Sequence, residues 1–217
     1  MICLLSDYIY ICKMNINQSH HLPVVELFNS IQGEGLHTGK PAFFIRLAGC
    51  DVCCTWCDEK IAWDESVFPV TDIQHIVEEV ITSGANTVVI TGGEPFRHNL
   101  TELTKALVSN NIRCMAETSG TAEISGNWHW ITLSPKQHQS PIEKNYFRAD
   151  ELKVVIQKEE DLGWAEINAS KVQSHVVLYL QPEWGCFDEI LPLIVRYIKE
   201  NPKWRLSVQV HKFINIP

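Results

Sequence analysis

The 217-residue sequence contains no run of basic residues, and its 18 Lys and Arg are outnumbered by 26 Asp and Glu. A formal net charge of −8 argues against a surface that binds nucleic acid. The sequence also lacks internal repeats, low-complexity blocks and any apolar stretch long enough to cross a membrane. We therefore expect no nucleic-acid or membrane partner. With 45% hydrophobic and 20% charged residues, the composition predicts one globular domain.

A secretory signal is missing as well. Residues 1–12 are apolar but include Asp7, and they have neither a basic start nor a small-residue cleavage site. Met14 is an alternative start position, which would make residues 1–13 an extension. We expect residues 1–22 to form an N-terminal tail and residues 23–217 to form the folded domain.

The eight cysteines do not follow the pattern of a secreted disulfide scaffold. Four of them are scattered, at Cys3, Cys12, Cys114 and Cys186. This usage is typical of a reducing compartment, so the expected location is cytoplasmic. The nine histidines include no H-E-x-x-H pair, and we interpret all nine as structural or surface residues.

The other four cysteines lie within eight residues, at Cys50, Cys53, Cys54 and Cys57. Two disulfides in so tight a loop would be strained, and one zinc ion usually takes two cysteine pairs separated by a folded knuckle. Cys50, Cys54 and Cys57 give the spacing C-x3-C-x2-C, which would leave one iron of a 4Fe–4S cluster open for an outside ligand. The spacing favours such a cluster, with zinc and spare buried or redox cysteines as the alternatives.

Apolar segments alternate with helical segments along the chain, which predicts a mostly parallel sheet. A full eightfold barrel takes about 250 residues, so we expect an α/β fold with an incomplete TIM-type barrel and an active site at the C-terminal ends of the strands. Predicted strands cover residues 42–47, 87–90, 112–116, 128–133, 152–156, 176–180 and 205–208, after a short extended element at 24–28. One predicted helix runs through Val77, Val80 and Ile81, with Thr71 as N-cap and Ser83-Gly84 at its end. Further helices are predicted at residues 99–109, near 159–169 and at 187–199.

Three polar turns directly follow predicted strands. They have the sequences TGGEP at 91–95, SPK at 134–136 and QP at 181–182. Because Gly92 and Gly93 have no Cβ atom, the first turn allows the backbone to approach a ligand closely. Each turn alone is weak evidence, but their shared position at one edge of a parallel sheet predicts a binding site there.

Arg46 lies on the strand that leads into the cysteine loop. Side chains alternate along a strand, so Phe44, Arg46, Ala48 and Cys50 share one face. If Cys50 faces a cluster, Arg46 faces the same cavity, where a guanidinium group needs an anionic partner. A substrate carboxylate is one candidate for that partner, and a neighbouring Asp or Glu is the other.

The C-x3-C-x2-C loop, followed after the next strand by Gly92-Gly93-Glu94-Pro95, resembles the radical S-adenosylmethionine superfamily. Within it, the sequence is similar to the 7-carboxy-7-deazaguanine synthase family from about residue 24 to its end. The segments that carry this resemblance are residues 28–35 (FNSIQGEG), 44–50 (FIRLAGC), 54–58 (CTWCD), 90–95 (ITGGEP), 117–121 (ETSGT), 134–136, 181–182 and 211–217.

The resemblance implies a radical S-adenosylmethionine domain and a carbon–nitrogen lyase. In this family a 5′-deoxyadenosyl radical takes hydrogen from C6 of 6-carboxy-5,6,7,8-tetrahydropterin. The ring then contracts, ammonia leaves and 7-carboxy-7-deazaguanine forms, as a step of queuosine and deazapurine biosynthesis. A homodimer and an electron donor such as flavodoxin or ferredoxin are implied as well.

The resemblance also implies site residues, position by position. The cluster ligands would be Cys50, Cys54 and Cys57. The residues that hold S-adenosylmethionine would be Gly93, Ser134, Pro135, Lys136, Gln181 and Pro182. The residues that hold the pterin would be Ile31, Gln32, Gly33, Arg46, Thr91 and Pro217.

Glu59 departs from the family pattern, which has a threonine at this position that contributes to a magnesium site. A carboxylate is a hard oxygen ligand, so Glu59 is a candidate ligand for magnesium. It could equally fill the space and replace the ion with its own hydrogen bonds, which leaves magnesium dependence open. We interpret Cys53 as a non-ligand and Trp56 as a shield that keeps water from the cluster.

Two other functions fit part of this pattern. A glycyl-radical-activating enzyme uses the same cysteine motif on a protein substrate and often has further clusters, but the sequence has no second cysteine cluster. A non-enzymatic module with structural zinc or an electron-transfer cluster would not cleave S-adenosylmethionine.

Overall fold

The computed structural model of the protein describes residues 20–217. Most of the expected tail at 1–22, including the alternative start at Met14, therefore lies outside the described residues. The first strand begins at His21, and Leu22 is buried in the core.

Nine strands in residues 20–217 form one sheet, with the order β3-β1-β2-β4-β5-β6-β7-β8-β9. Every pair from β2 to β9 is parallel, whereas β1 pairs antiparallel with both β2 and β3. The sheet is open, with β3 and β9 at its ends, which confirms the predicted incomplete barrel. The strands are β1 (His21–Ile31), β2 (Pro41–Leu47), β3 (Val70–Asp72), β4 (Thr87–Gly92), β5 (Arg113–Thr118), β6 (Trp130–Leu133), β7 (Glu151–Ile156), β8 (Val177–Pro182) and β9 (Trp204–Leu206).

The helices are α1 (Ile73–Thr82), α2 (Thr101–Ser109), α3 (Asp161–Ala169), α4 (Phe187–Glu200) and α5 (Val210–Ile214). One detail of the prediction is wrong, because the N-cap of α1 is Asp72 rather than Thr71. The carboxylate of Asp72 accepts a hydrogen bond from the Gln74 backbone N–H at 2.7 Å, while Thr71 pairs with Leu22 in the sheet. None of the helices in the described part of the chain is long and apolar enough to cross a membrane.

The two faces of the sheet have different chemistry. On β2, Phe43 and Ile45 pack into the hydrophobic core, whereas Phe44 and Arg46 face a cavity. On β7, Leu152 and Val154 belong to the core, whereas Lys153 faces the barrel interior. The alternation of side chains along each strand thus places apolar groups under the helices and functional groups inside the barrel.

Candidate active site

A cavity of about 220 Å³ lies beside the C-terminal ends of the strands. The cysteine loop contributes Cys50, Cys54 and Cys57 to its wall, and Cys53 does not line it. Of the residues predicted to hold S-adenosylmethionine, Pro135 instead lines an adjacent cavity together with Cys53. The others line the first cavity: Gly93, Ser134, Lys136, Gln181 and Pro182.

The cysteine side chains suit iron–sulfur ligation. Cys54 is buried, Cys50 and Cys57 are partly buried, and all three are free thiols. Burial raises the pKa of the Cys50 and Cys54 thiols, so their thiolates would need a nearby cation. Among residues 20–217, no three His, Cys, Asp or Glu side chains form a group that could hold a single metal ion. Three cysteine thiols are the donor set expected for a 4Fe–4S cluster with one iron left open.

Cys53 occupies a different position in the loop. Its side chain is exposed, its φ is 48°, and its thiol donates a hydrogen bond to the Cys50 carbonyl oxygen at 3.3 Å. A positive φ is uncommon for a residue with a Cβ atom. This backbone turn directs Cys53 away from the cavity that the other three cysteines share.

The turn after β4 supports the cysteine loop through its backbone. Gly93 N–H donates to the Leu47 carbonyl at 2.8 Å, and Glu94 N–H donates to the Gly49 carbonyl at 2.8 Å. A Cβ atom at Gly93 would lie 2.3 Å from the Gly49 oxygen, so this contact requires glycine. The glycine motif therefore holds the loop as well as lining the cavity.

Glu94 has a structural role that sequence reasoning missed. Its side chain is 1% exposed and accepts hydrogen bonds from the Thr118 hydroxyl at 2.6 Å and the Ser119 backbone N–H at 2.8 Å. These contacts join the end of β4 to the end of β5. The signal in the sequence was an acidic residue directly before a proline, in a turn between two buried strands.

The loop after β6 also contacts the cysteine loop. His138 Nε2 donates to the Val52 carbonyl at 2.7 Å and lies 4.0 Å from Cys54 Sγ. Lys136 Nζ donates to the Ser134 carbonyl at 2.8 Å and lies 5.4 Å from the centre of the Trp56 ring. His138 is thus a structural histidine, as interpreted, but one that supports the candidate site.

A second cavity, of about 390 Å³, adjoins the first. The two share several lining residues, among them Glu34, Asp58, Glu59, Glu117 and Gln209. All the residues predicted to hold the pterin line this second cavity: Ile31, Gln32, Gly33, Arg46, Thr91 and Pro217.

Arg46 faces the second cavity and has acidic partners within the protein. Its Nε lies 2.6 Å from Glu26 Oε1, and its Nη1 lies 3.5 Å from Glu59 Oε2. Glu26 is opposite Arg46 in the antiparallel pair of β1 and β2. Arg46 therefore has the neighbouring acidic partners that the sequence analysis gave as one alternative. Its guanidinium group still lines the cavity.

A buried charge cluster separates the two cavities. Lys153, with a side chain 5% exposed, pairs with Glu34 and lies 2.8 Å from Glu117 Oε2. Burial opposes ionisation of Glu34, but the charge of Lys153 outweighs it and lowers the pKa of Glu34 to about 2. Gln32 Nε2 donates to the other Glu117 oxygen at 3.1 Å. Sequence reasoning missed Lys153, whose signal was one charged residue inside an apolar strand.

Glu151 lies beneath this cluster and is 1% exposed. Its Oε2 accepts a hydrogen bond from the Leu36 backbone N–H at 3.0 Å. Burial, together with the nearby negative charge of Glu117, raises the pKa of Glu151 to about 7. The loop that carries Gly33 and Glu34 is therefore attached to a carboxyl group that titrates near neutral pH.

The end of the chain closes one side of the second cavity. Val210 N–H donates to the Gly33 carbonyl at 3.0 Å, and the Ser30 hydroxyl donates to the Pro217 carbonyl at 2.7 Å. His211 lies so close to Gly33 that a Cβ atom there would be 2.1 Å from the imidazole Nδ1. His211 was not assigned a site role from sequence, although it also lines this cavity.

Comparisons with known proteins identify relatives of this chain in sequence and in fold. A family model described as a 4Fe-4S single cluster domain matches residues 31–144. The 7-carboxy-7-deazaguanine synthase of Flavobacterium psychrophilum is 46% identical, covering 94% of this chain and 97% of the relative. The synthase of the same name from Escherichia coli K12 is 35% identical over 89% of this chain and 98% of the relative. The crystal structure of QueE from Escherichia coli matches with a TM-score of 0.78 and 33% identity, covering 88% of this chain and 95% of that one.

Proposed function

The chain belongs to the 7-carboxy-7-deazaguanine synthase family, and we propose that it converts 6-carboxy-5,6,7,8-tetrahydropterin to 7-carboxy-7-deazaguanine and ammonia. The observation that carries this proposal is the pair of adjoining cavities. The three cysteines line one cavity, and the residues expected to hold a pterin line the other. A reaction that passes a hydrogen atom between a cofactor and a substrate needs the two side by side.

Cys50, Cys54 and Cys57 would hold a 4Fe–4S cluster. With bound S-adenosylmethionine and one electron from an external donor, this group would supply radical hydrogen-abstraction chemistry at this wall of the cavity. Trp56 would exclude water from this end of the site. The residues that would hold S-adenosylmethionine are Gly93, Ser134, Pro135, Lys136, Gln181 and Pro182.

Arg46 would hold the substrate carboxylate in the second cavity. Because its Nε and Nη1 face Glu26 and Glu59, the substrate would have to share the guanidinium with these carboxylates or displace one of them. Glu34 and Glu117 would accept hydrogen bonds from the N–H groups of the pterin ring. Gln32 would contribute its side-chain amide, and Ile31, Gly33, Thr91 and Pro217 would complete the pocket.

Magnesium would bind at Glu59, which lines both cavities. The contact of Glu59 with Arg46 at 3.5 Å would compete with the ion for the carboxylate. Magnesium dependence can be tested by titrating the ion into chelated enzyme. A saturating rise in activity would support the site, whereas a flat response would show that the Glu59–Arg46 pair replaces the ion.

Three further features extend the proposal. Reduction would come from a donor such as flavodoxin or ferredoxin, the enzyme would act as a homodimer, and it would act in the cytoplasm. The free cysteines of the described residues are compatible with a reducing compartment. Gel filtration with light scattering would test the dimer, and reduction by each purified donor would test the electron source.

The decisive experiment is anaerobic reconstitution with iron and sulfide, followed by an assay. We expect about four irons per chain and the visible absorbance of a 4Fe–4S cluster. With reductant, S-adenosylmethionine and the carboxytetrahydropterin, ammonia and the deazaguanine should appear in equal amounts. Binding of zinc with no iron after reconstitution would instead support the non-enzymatic module. Transfer of a radical to a protein glycine would support the glycyl-radical-activating alternative.

A further inference from the structure

Asp58 directly follows Cys57, the last cysteine of the cysteine loop (residues 50–57, hereafter the cluster loop). It joins this loop to the C-terminal segment, which we define as residues 207–217. Its Oδ2 accepts a hydrogen bond from Gln209 Nε2 at 3.0 Å and pairs with Lys212 Nζ. These partners are 151 and 154 residues further along the chain. The contact therefore exists only when both the cluster loop and the C-terminal segment are folded in place.

The C-terminal segment is also part of the second cavity. Gln209 Nε2 donates to Glu34 Oε1 at 3.0 Å, so one side-chain amide bridges Asp58 and the buried charge cluster. Further along, Pro217 lines the cavity and accepts the hydrogen bond from Ser30. A shift of this segment would open the wall of the cavity on that side.

The outer side of the segment is held by exposed aromatic contacts. The ring of Phe213 lies 5.2 Å from that of Trp184 and 5.3 Å from that of Phe187. Phe213 remains 56% exposed, so these contacts remove little apolar surface from water. The ion pair of Lys212 with Asp58, whose side chains are 20% and 44% exposed, is the charged link between the segment and the cluster loop.

Asp58 is also closely tied to a cluster ligand. It follows Cys57 directly, and the Glu59 backbone N–H donates to Cys57 Sγ at 3.3 Å, which closes a turn around Asp58. Adjacent Cα atoms are about 3.8 Å apart, so the position of Cys57 limits where Asp58 can lie. Ligation of Cys57 would therefore hold Asp58 where it reaches Lys212.

We propose that Asp58 is a positioning residue that holds the C-terminal segment across the second cavity. This cavity would then close only when the cluster loop has bound its iron–sulfur cluster. The proposal rests on the proposed function, because it takes the second cavity as the pterin site. It goes beyond that function in linking two events, the assembly of the cluster and the completion of the substrate pocket.

Limited digestion with chymotrypsin tests the link without any assay of activity. Cleavage after Phe213 should be about fivefold slower in reconstituted wild-type protein than in iron-free protein, because an unfastened segment is open to the protease. Asp58→Ala should remove this difference. Cleavage after Phe147, which is 60% exposed, is the internal reference in the same digest. Asp188→Ala, an exposed aspartate at the start of α4, is the matched control and should behave as wild type.

Kinetics supply the second readout. Asp58→Ala should raise the KM for the carboxytetrahydropterin about tenfold, with kcat within about twofold and with unchanged iron content. Lys212→Ala should raise the KM as well, and the effect of the double variant should be smaller than the sum of the two single effects, because both single variants remove the Asp58–Lys212 pair. Asp58→Asn, which keeps an acceptor for Gln209, should lie between Asp58→Ala and wild type.

Two results would overturn the proposal. One is loss of iron from Asp58→Ala, which would make Asp58 a structural part of the cluster loop. The other is unchanged cleavage after Phe213 in that variant. If wild-type protein does not turn over the pterin, the proposed function fails, but the digestion still decides whether Asp58 fastens the segment.

Discussion

Arg46 shows what can be inferred for a single residue. Strand alternation predicts that it faces a cavity, and the structure places it there beside Phe44, with Phe43 and Ile45 on the core side. Its acidic partner could not be inferred, because Glu26 comes from an antiparallel strand whose register depends on the folded hairpin. Lys153 was missed for a related reason, since a charged residue in a strand is usually exposed and its buried carboxylate partners are distant in sequence.

Replacing Arg46 with alanine should lower kcat/KM for the pterin about 100-fold while leaving the iron content unchanged. Without the guanidinium group, the substrate carboxylate would lose its proposed partner, and Glu26 and Glu59 would lose theirs. Steady-state kinetics with iron analysis would check this. Arg148→Ala, an exposed arginine, is the control and should retain normal kinetics. Loss of the cluster in Arg46→Ala would show that Arg46 has a structural role instead.

Glu151 predicts a pH dependence of stability. Its pKa rises from 4.5 to about 7 on folding, so the folded state binds the proton more tightly than the unfolded state does. The stability that this provides is present at low pH and is lost as pH rises to 7. At about 1.4 kcal/mol per pKa unit, the loss is at most about 4 kcal/mol.

The variant Glu151→Gln removes this titration. Its free energy of unfolding should therefore exceed that of wild type by more at pH 8 than at pH 5.5. Urea unfolding at both pH values would measure the difference. Glu189→Gln, on the exposed face of α4, is the control. Parallel pH profiles for wild type and Glu151→Gln would contradict the prediction.

Elements were predictable where their apolar pattern was long. The strands β2, β4, β5, β7 and β8 are apolar runs followed by polar turns, and each was predicted within two residues of its observed start and end. The predicted element at 24–28 is the middle of the 11-residue β1, whose polar Asn29 and Ser30 conceal its length. The three-residue β3 and five-residue α5 were missed because they are shorter than any periodic pattern.

The loop after β6 contains His138, whose contact with the cysteine loop can be tested through the retention of iron. His138→Ala removes the hydrogen bond to the Val52 carbonyl, so iron should leave about fivefold faster under a chelator, as expected for a loss of about 1 kcal/mol. His138→Gln keeps an N–H donor and should restore much of the retention. His175→Ala, an exposed histidine, should match wild type. Equal iron release from all four proteins would exclude a supporting role for His138.

For the molecule as a whole, the order of elements predicted an open parallel barrel and the edge where its site lies. The wall that the two cavities share was not predictable, because it comes from residues far apart in sequence, such as Glu34, Glu117 and Gln209. Cysteine spacing and strand-end motifs located the first cavity. The second depends on the long antiparallel β1 and on a segment after β9, neither of which has a strong pattern of its own.

The position of Pro217 has a practical consequence for anyone who purifies this protein. Its carbonyl oxygen is hydrogen-bonded to Ser30, and the residue lines the second cavity. An affinity tag fused after Pro217 would begin at the wall of the second cavity, the proposed substrate pocket. A tag fused before Met1 would be separated from β1 by 20 residues of sequence. We expect the first fusion to raise the KM for the pterin severalfold, and removal of the tag with a protease to restore it. Identical kinetics before and after cleavage would show that the pocket tolerates the addition.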